Sequence, residues 1–392
     1  MARIIQGTSS AGFGGLEMVI HDFHAWLIGN GHDALVIVSE GTALHKGLID
    51  AGYADSTFAY SKDVRASAVR RMMHDKLDSP DAAILFHRHR AIRTLFWRRF
   101  KAKTSMLSHT FYKSKKRDLW HRYLFSKIDR WIALTPLHLK NMNEMLGVNP
   151  SRITIIPNGV NIKKFKPVEL ANRSPNEFHI GIVARLDPQK GQDIAIEALA
   201  ELSSKTSQKL FLHFFGDETP GEASIRPMLK SLAQKRGVES QVIFEGFKPQ
   251  VHECLPQMDL LWLPSHRETF GRCLIEGMAC GVPVVASDAG GVPDIIEHQV
   301  NGMLFETKNP QDLAKQTLVV INDEKLRVSI RDKALADVRA HYDIDQIFSR
   351  LLHAILPAHV QNQKVVSEQS KKRELEKPLF VPHEASFENS PS

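Results

Sequence analysis

The chain has 392 residues, enough for two ordinary domains, and its 43% hydrophobic and 24% charged content is that of a globular protein. No apolar run approaches the roughly 20 residues of a spanning helix, and the amino-terminal "MARIIQGTSS" lacks the layout of a signal peptide. Three cysteines (Cys254, Cys273, Cys280) without C-x-x-C spacing argue against a disulfide framework or a zinc site, so a reducing cytoplasm is the expected compartment.

In chain order, short apolar strands alternate with amphipathic helices, the pattern of parallel α/β layers. "RIIQ" (3–6) predicts a first strand, then a glycine turn and a helix from about Leu16 to Asn30. Further strands are expected at 34–39, 82–87, 104–109 and 130–135, and "RITIIPNGV" (152–160) reads as a strand running into a Pro-Asn-Gly turn. Residues 166–177, polar and with two prolines, read as a linker. The alternation restarts with strands at 179–185, 210–216, 241–246, 260–264 and 283–287, and with helices at 190–203 and 224–236. Three helical segments follow from about Pro310, the last near Ile344–Leu356, and 363–392 reads as a disordered tail. The expectation is two doubly wound Rossmann-like domains, 1–166 and 178–343, facing a cleft. In such sheets ligands sit beyond the carboxyl ends of the strands.

The chemistry-bearing residues fall at those ends. In "VARLDPQKGQD" (183–193) Arg185 ends a strand and Lys190 is expected to open the next helix. A guanidinium and an ammonium beside free amides suit a diphosphate, with Asp187 an alternative partner for either. In "SHRETFGRCLIEG" (265–277) Glu268 lies in a loop, and Glu276 lies on a helix expected to begin near Phe270, roughly 9 Å further along at 1.5 Å per residue. Two acids so separated can each grip a different sugar of one ligand, with the amides of Phe270, Gly271 and Arg272 between them as donors. Paired acids also occur in glycoside hydrolases, whose chemistry has no use for a cationic diphosphate seat. "TSSAGFGGLE" (8–17) lacks the dinucleotide pattern, because Glu17 stands where a third glycine would follow Gly12 and Gly14. Glu40, ending the second strand, is where a dehydrogenase would place its ribose acid. The Gly14–Gly15 pair instead lets amides approach a phosphate or sugar from the opposite wall.

Arg185-x4-Lys190 and Glu268-x7-Glu276 within "ETFGRCLIEGMACGVPVVASDAGG" resemble the retaining GT-B glycosyltransferases of family 4, which include lipopolysaccharide and polysaccharide sugar transferases. The likeness covers about 1–356 and is sharper in the carboxyl half. It implies an amino-terminal acceptor-side domain, a carboxyl-terminal nucleotide-sugar domain, and a last helix that crosses back onto the first. By that resemblance Arg185 and Lys190 would bind the donor diphosphate and Glu276 the ribose. Glu268, with the Phe270 and Gly271 amides, would hold the transferred sugar, Gly14–Gly15 would line the phosphate side, and His109 would contact the donor sugar. Thr110 follows this histidine where the family usually has Asp, and His87, at the end of the preceding strand, is the alternative. Asn161 and Asp294 are further departures, away from the chemistry.

The expected activity is metal-independent, retaining transfer of a hexose-type sugar from a nucleotide diphosphate to a saccharide or lipid-linked acceptor, without a cofactor. Two other classes stay open: a sugar-nucleotide-binding protein without catalysis, and a nicotinamide-dependent oxidoreductase. Asp343-Ile344-Asp345 matches a metal-binding D-x-D but precedes a helix and reads as its cap. Net charge is +7, yet Ala83–Arg117 carries eleven Lys/Arg and no acid, leaving the rest at −4. The run reads either as a solvated face or, through 88–117, as an anionic-membrane contact on the cytoplasmic face. No nucleic-acid signature is present.

Overall fold

The computed structural model describes residues 2–10, 14–61, 79, 81–87, 101–168, 174, 176–218, 223–358 and 360. The expected tail at 363–392, the 88–100 part of the basic run, Gly12 and part of the 166–177 linker lie outside the described residues.

The first sheet contains β1 (Arg3–Gly7), β2 (Asp33–Ser39), β3 (Thr57–Tyr60), β4 (Ala82–Phe86), β5 (Lys103–Leu107), β6 (Arg130–Ala133) and β7 (Ile153–Ile155). Its spatial order is β3-β2-β1-β4-β5-β6-β7, and every pairing is parallel. Helices α1 (Gly15–Gly29), α2 (Ala43–Asp50), α3 (Leu119–Ser126) and α4 (Pro136–Leu146) accompany it. The second sheet contains β8 (Glu177–Val183), β9 (Lys209–Phe215), β10 (Val242–Gly246), β11 (Leu260–Leu263), β12 (Val284–Ser287) and β13 (Met303–Phe305), in the order β10-β9-β8-β11-β12-β13 and again parallel. With it run α5 (Gln192–Ser203), α6 (Arg226–Arg236), α7 (Val251–Cys254), α8 (Arg272–Ala279), α9 (Pro310–Asn322) and α10 (Glu324–His341), followed by α11 (Ile344–Ile355). Both sheets are doubly wound.

The central strands are apolar throughout because both faces are covered: every residue of β4 and of β11 is buried. The edge strand β3, "TFAY", is only half-buried, which is why its pattern did not stand out in the sequence. α4 is delimited by local chemistry. Thr135 accepts from the His138 amide at its start, Pro136 fills the first turn, and Gly147 closes it in the left-handed region.

α11 returns to the first sheet. Its strongly one-sided apolar stripe (Ile347, Phe348, Leu351, Leu352, Ile355) is buried against α1, β4 and β5, with the Phe348 ring 5.0 Å from that of Phe23. Each such side chain contributes about 2–3 kcal/mol by burial. Val160 and Ile344 fasten the crossing, through Val160 N–H to Tyr342 O at 2.8 Å and Ile344 N–H to Val160 O at 3.0 Å. The approach requires Gly159, since an added Cβ would lie 2.8 Å from the Ile344 Cα. Asp343 caps α11 by accepting from the Asp345 amide, and Asp345 holds Trp26 Nε1 and Lys163.

Candidate active site between the two sheets

Strand order reverses between β1 and β4 in the first sheet and between β8 and β11 in the second. At such a switch point the crossovers leave in opposite directions and open a crevice at the carboxyl ends. In the first sheet those ends lead to Gly14–Gly15, His87 and, one strand over, His109; in the second they lead to Arg185 and Glu268.

On the first wall, Gly14 is extended and caps α1 without a side-chain bond, and Gly15 opens the helix. His87 is buried, and burial pushes its pKa down to about 3, so the ring is neutral. Gln6 Nε2 donates to Ile20 O at 3.2 Å, which turns Gln6 Oε1 toward His87 Nε2 at 3.0 Å. His87 Nδ1 is then an acceptor, and it lies 3.4 Å from His109 Nε2. This order of donors puts a proton on His109 Nε2. Of the two candidate histidines, His109 keeps partial exposure and His87 stands buried behind it. Gln6 escaped the sequence reading; its signal was a polar side chain at the inner end of a central strand.

On the second wall, Arg185 pairs with Asp187 at 3.2 Å, and Lys190 Nζ donates to Glu268 Oε2 at 2.7 Å. Lys190 does not open a helix. Pro188–Lys190 form a 3-10 turn, Gly191 breaks it in the left-handed region, and α5 starts at Gln192. A Cβ on Gly191 would lie 2.0 Å from Pro264 O, so only glycine lets this turn lie against the end of β11, where Lys190 reaches Glu268. Burial disfavours the Lys190 charge, but the Glu268 carboxylate outweighs it and holds the ammonium above the usual lysine range.

The helix after β11 also begins later than expected. α8 starts at Arg272, with Gly271 as its left-handed cap and the Phe270 side chain buried, its ring 6.0 Å from that of Tyr342. The donors there are therefore the amides of a turn running into the helix. Glu276 is the fifth residue of α8 and is buried, with the Arg272 guanidinium beside it, Nε to Oε1 2.8 Å. Burial pushes the Glu276 carboxyl up, and Arg272 opposes that rise. Arg272 also donates to Asp22 of α1, Nη2 to Oδ2 2.7 Å. Nothing in the sequence pairs Asp22 with Arg272, because 250 positions separate them. Two more contacts join the walls: Asp294 accepts from the Leu137 amide at 3.2 Å, and the Arg267 guanidinium lies 5.3 Å from the Phe111 ring centre. Among the described residues no group of three His, Cys, Asp or Glu is placed to hold a metal ion.

Two facing Rossmann-like units with cations and acids at the switch-point strand ends define the GT-B class. Residues 13–164 match the glycosyltransferase family 4 model, and residues 166–337 match the model for glycosyl transferases group 1. The chain thus carries a glycosyltransferase family 4 domain followed by a glycosyl transferases group 1 domain, in a GT-B fold. It is 30% identical over 197 residues to a D-inositol 3-phosphate glycosyltransferase of Segniliparus rotundus, matching 48% of this chain and 43% of that one. It is 33% identical over 159 residues to an N-acetyl-alpha-D-glucosaminyl L-malate synthase of Bacillus anthracis, matching 41% of this chain and 40% of the other. The chain spans about half the length of the curated relatives it matches or less. Among solved structures, HepE of Anabaena in complex with UDP and glucose superposes with a TM-score of 0.76 over 90% of this chain and 98% of that one, at 23% identity. TarM of S. aureus superposes with a TM-score of 0.74 over 91% and 100% at 16% identity. At such identities the likeness speaks for the fold.

Proposed function

We propose that this chain is a retaining glycosyltransferase that moves a hexose-type sugar from a nucleoside diphosphate to a saccharide or lipid-linked acceptor. Lipopolysaccharide or polysaccharide assembly on the cytoplasmic side is the role this reading favours. The observation that carries it is the Lys190–Glu268 pair at 2.7 Å, which joins the segments that follow β8 and β11, with Arg185 on the first segment and the buried Glu276 on the helix of the second.

In this reading Arg185 and Lys190 hold the diphosphate and stabilise the charge that grows on it as the sugar–phosphate bond breaks. Glu276 accepts from the ribose hydroxyls. Glu268 accepts from the hydroxyls of the transferred sugar, and His109 donates to that sugar through Nε2 once it leaves His87. The acceptor hydroxyl attacks the anomeric carbon on the face the phosphate leaves, and the departing phosphate oxygen takes the acceptor proton, so configuration is kept. The two cations and the turn amides meet the phosphate charge, so transfer is metal-independent and survives excess chelator. The uridine diphosphate in the HepE complex makes a uridine donor the first to try.

The test is release of free nucleoside diphosphate from uridine, guanosine and adenosine diphosphate sugars, with the anomeric configuration of the product read by NMR. Acceptor-dependent release with the donor's configuration is expected. Binding without release favours a non-catalytic sugar-nucleotide receptor, and inversion or a requirement for manganese overturns the mechanism.

A further inference from the structure

Arg272 sits where the two units meet. Its guanidinium is buried between Glu276, one turn on in α8, and Asp22 of α1 on the opposite unit. The two contacts differ. The one to Asp22 is a formed hydrogen bond at 2.7 Å. The one to Glu276 is close, 2.8 Å, but out of line: Arg272 Nε and Nη1 and Glu276 Oε1 are buried without a well-formed hydrogen bond. One cation thus serves two anions from two units, and His21 lies 3.5 Å from Asp22.

The charge state of Glu276 depends on this sharing. Burial pushes its carboxyl up, Arg272 draws it down, and Asp22 pushes it up again. Its other titratable neighbours, Cys273 and Cys280, are thiols raised to about 12 by burial and stay neutral. An ionised carboxylate accepts two hydroxyls on its two oxygens, whereas the acid must donate from one of them. Without Arg272, burial and Asp22 would both push the Glu276 carboxyl toward its protonated form.

We propose that Arg272 is a positioning residue that keeps Glu276 an acceptor for a vicinal diol, and that Asp22 shares it across the cleft, coupling nucleotide grip to the approach of the two units. The proposal rests on reading Glu276 as the ribose acid. Coupling of this kind is reciprocal: whatever brings Asp22 nearer changes the diol affinity, and the bound diol changes the hold on Asp22.

The test is calorimetric binding to the full chain, from pH 5 to 9, of uridine diphosphate and its 2′,3′-dideoxy form, with guanosine and adenosine diphosphates as parallel arms. The unaltered chain should prefer the diol form, with a flat profile from neutral pH upward. Arg272→Met should lose affinity at low and neutral pH, about tenfold for each unit by which the Glu276 pKa exceeds the assay pH. It should lose the diol preference too, and regain both at high pH. Arg272→Lys keeps the charge and should restore most of the affinity. Asp22→Asn removes a charge that pushes Glu276 up and frees the guanidinium for it, so affinity should hold or rise while turnover falls. The proposal is overturned if Arg272→Met keeps the diol preference at every pH, or if Asp22→Asn loses affinity in step with turnover. Should Arg272→Met fail to fold, Arg272→Lys and Asp22→Asn decide it, and the same Asp22→Asn outcome overturns it. If Glu276→Gln leaves the diol preference intact, or no nucleotide binds the unaltered chain, the ribose reading fails and takes the proposal with it.

Discussion

Lys190 Nζ and Glu268 Oε2 stand 2.7 Å apart across 78 residues of sequence, one from the turn after β8 and the other from the loop after β11. The pair joins the residue read as the diphosphate cation to the residue read as the sugar acid. The Glu268 carboxylate holds the Lys190 ammonium above the usual lysine range, so Lys190 stays charged. Lys190→Ala and Arg185→Ala should each cost roughly 3 kcal/mol of transition-state stabilisation, about 100-fold in turnover. Lys190→Ala should be the worse, because it also leaves the half-buried Glu268 without its counter-ion. Steady-state rates of nucleotide release measure this, and unaltered turnover in both variants would falsify the diphosphate seat.

The two acids should separate by experiment. The ribose is common to donor and product, so Glu276→Ala should chiefly weaken binding of free nucleoside diphosphate. Glu268→Ala should leave that binding nearly intact while abolishing transfer. Calorimetry of the product nucleotide beside turnover assays checks the division, which is wrong if both variants lose nucleotide affinity equally.

Acid stability should be set in part by two buried histidines. Burial lowers His87 to about 3 and His138 to about 4, against an ordinary value of 6.5. A depressed folded-state pKa gives stability that is present above 6.5 and lost as pH falls toward the folded value. His138 has a specific reason to stay neutral, since its Nδ1 accepts from the Leu134 amide and protonation would set two N–H groups against each other. At pH 5 each group should cost at most about 2 kcal/mol. Urea unfolding at pH 7 and pH 5 measures the loss, and His138→Gln should flatten it. An unfolding midpoint unchanged between those pH values would contradict the account.

The basic run bears on membrane recruitment, which remains our proposal. Lys103 leaves the set of membrane-facing charges, because its ammonium donates to the carbonyls of Ala354 and Leu356 at the end of α11. Exposed Lys113 and Lys115 instead precede α3, whose Leu119, Trp120 and Tyr123 are 82%, 43% and 48% exposed. Apolar side chains beside basic ones can insert shallowly into an anionic leaflet, with about 1 kcal/mol per engaged charge. Co-sedimentation with anionic vesicles should fall with salt and drop in Lys113→Gln/Lys115→Gln and in Leu119→Ser/Trp120→Ser. Equal binding to neutral vesicles, or none to anionic ones, leaves a non-membrane acceptor as the better reading.

The doubly wound architecture and the residues at its strand ends were legible in the sequence, because each rests on local signals. Continuous apolar runs such as "AAILF" and "LLWLP" mark buried parallel strands, and the polar residue that follows each run, His87 or Ser265, marks the carboxyl end, where sheets of this kind bind ligands. Weakly patterned "TFAY" and "MLF", now β3 and β13, gave no such signal. Local signals also misplace helix starts by a residue or two, since the left-handed Gly191 and Gly271 delay α5 and α8. Side-chain partnerships were decided only by tertiary structure. Lys190 meets Glu268 because Gly191 lies against Pro264, Gln6 orders the two histidines through the pairing of β1 with β4, and Arg272 is shared with Asp22 because two separately wound units meet at that point. Each of these joins residues between 78 and 250 positions apart, a range at which no periodicity or spacing rule carries information.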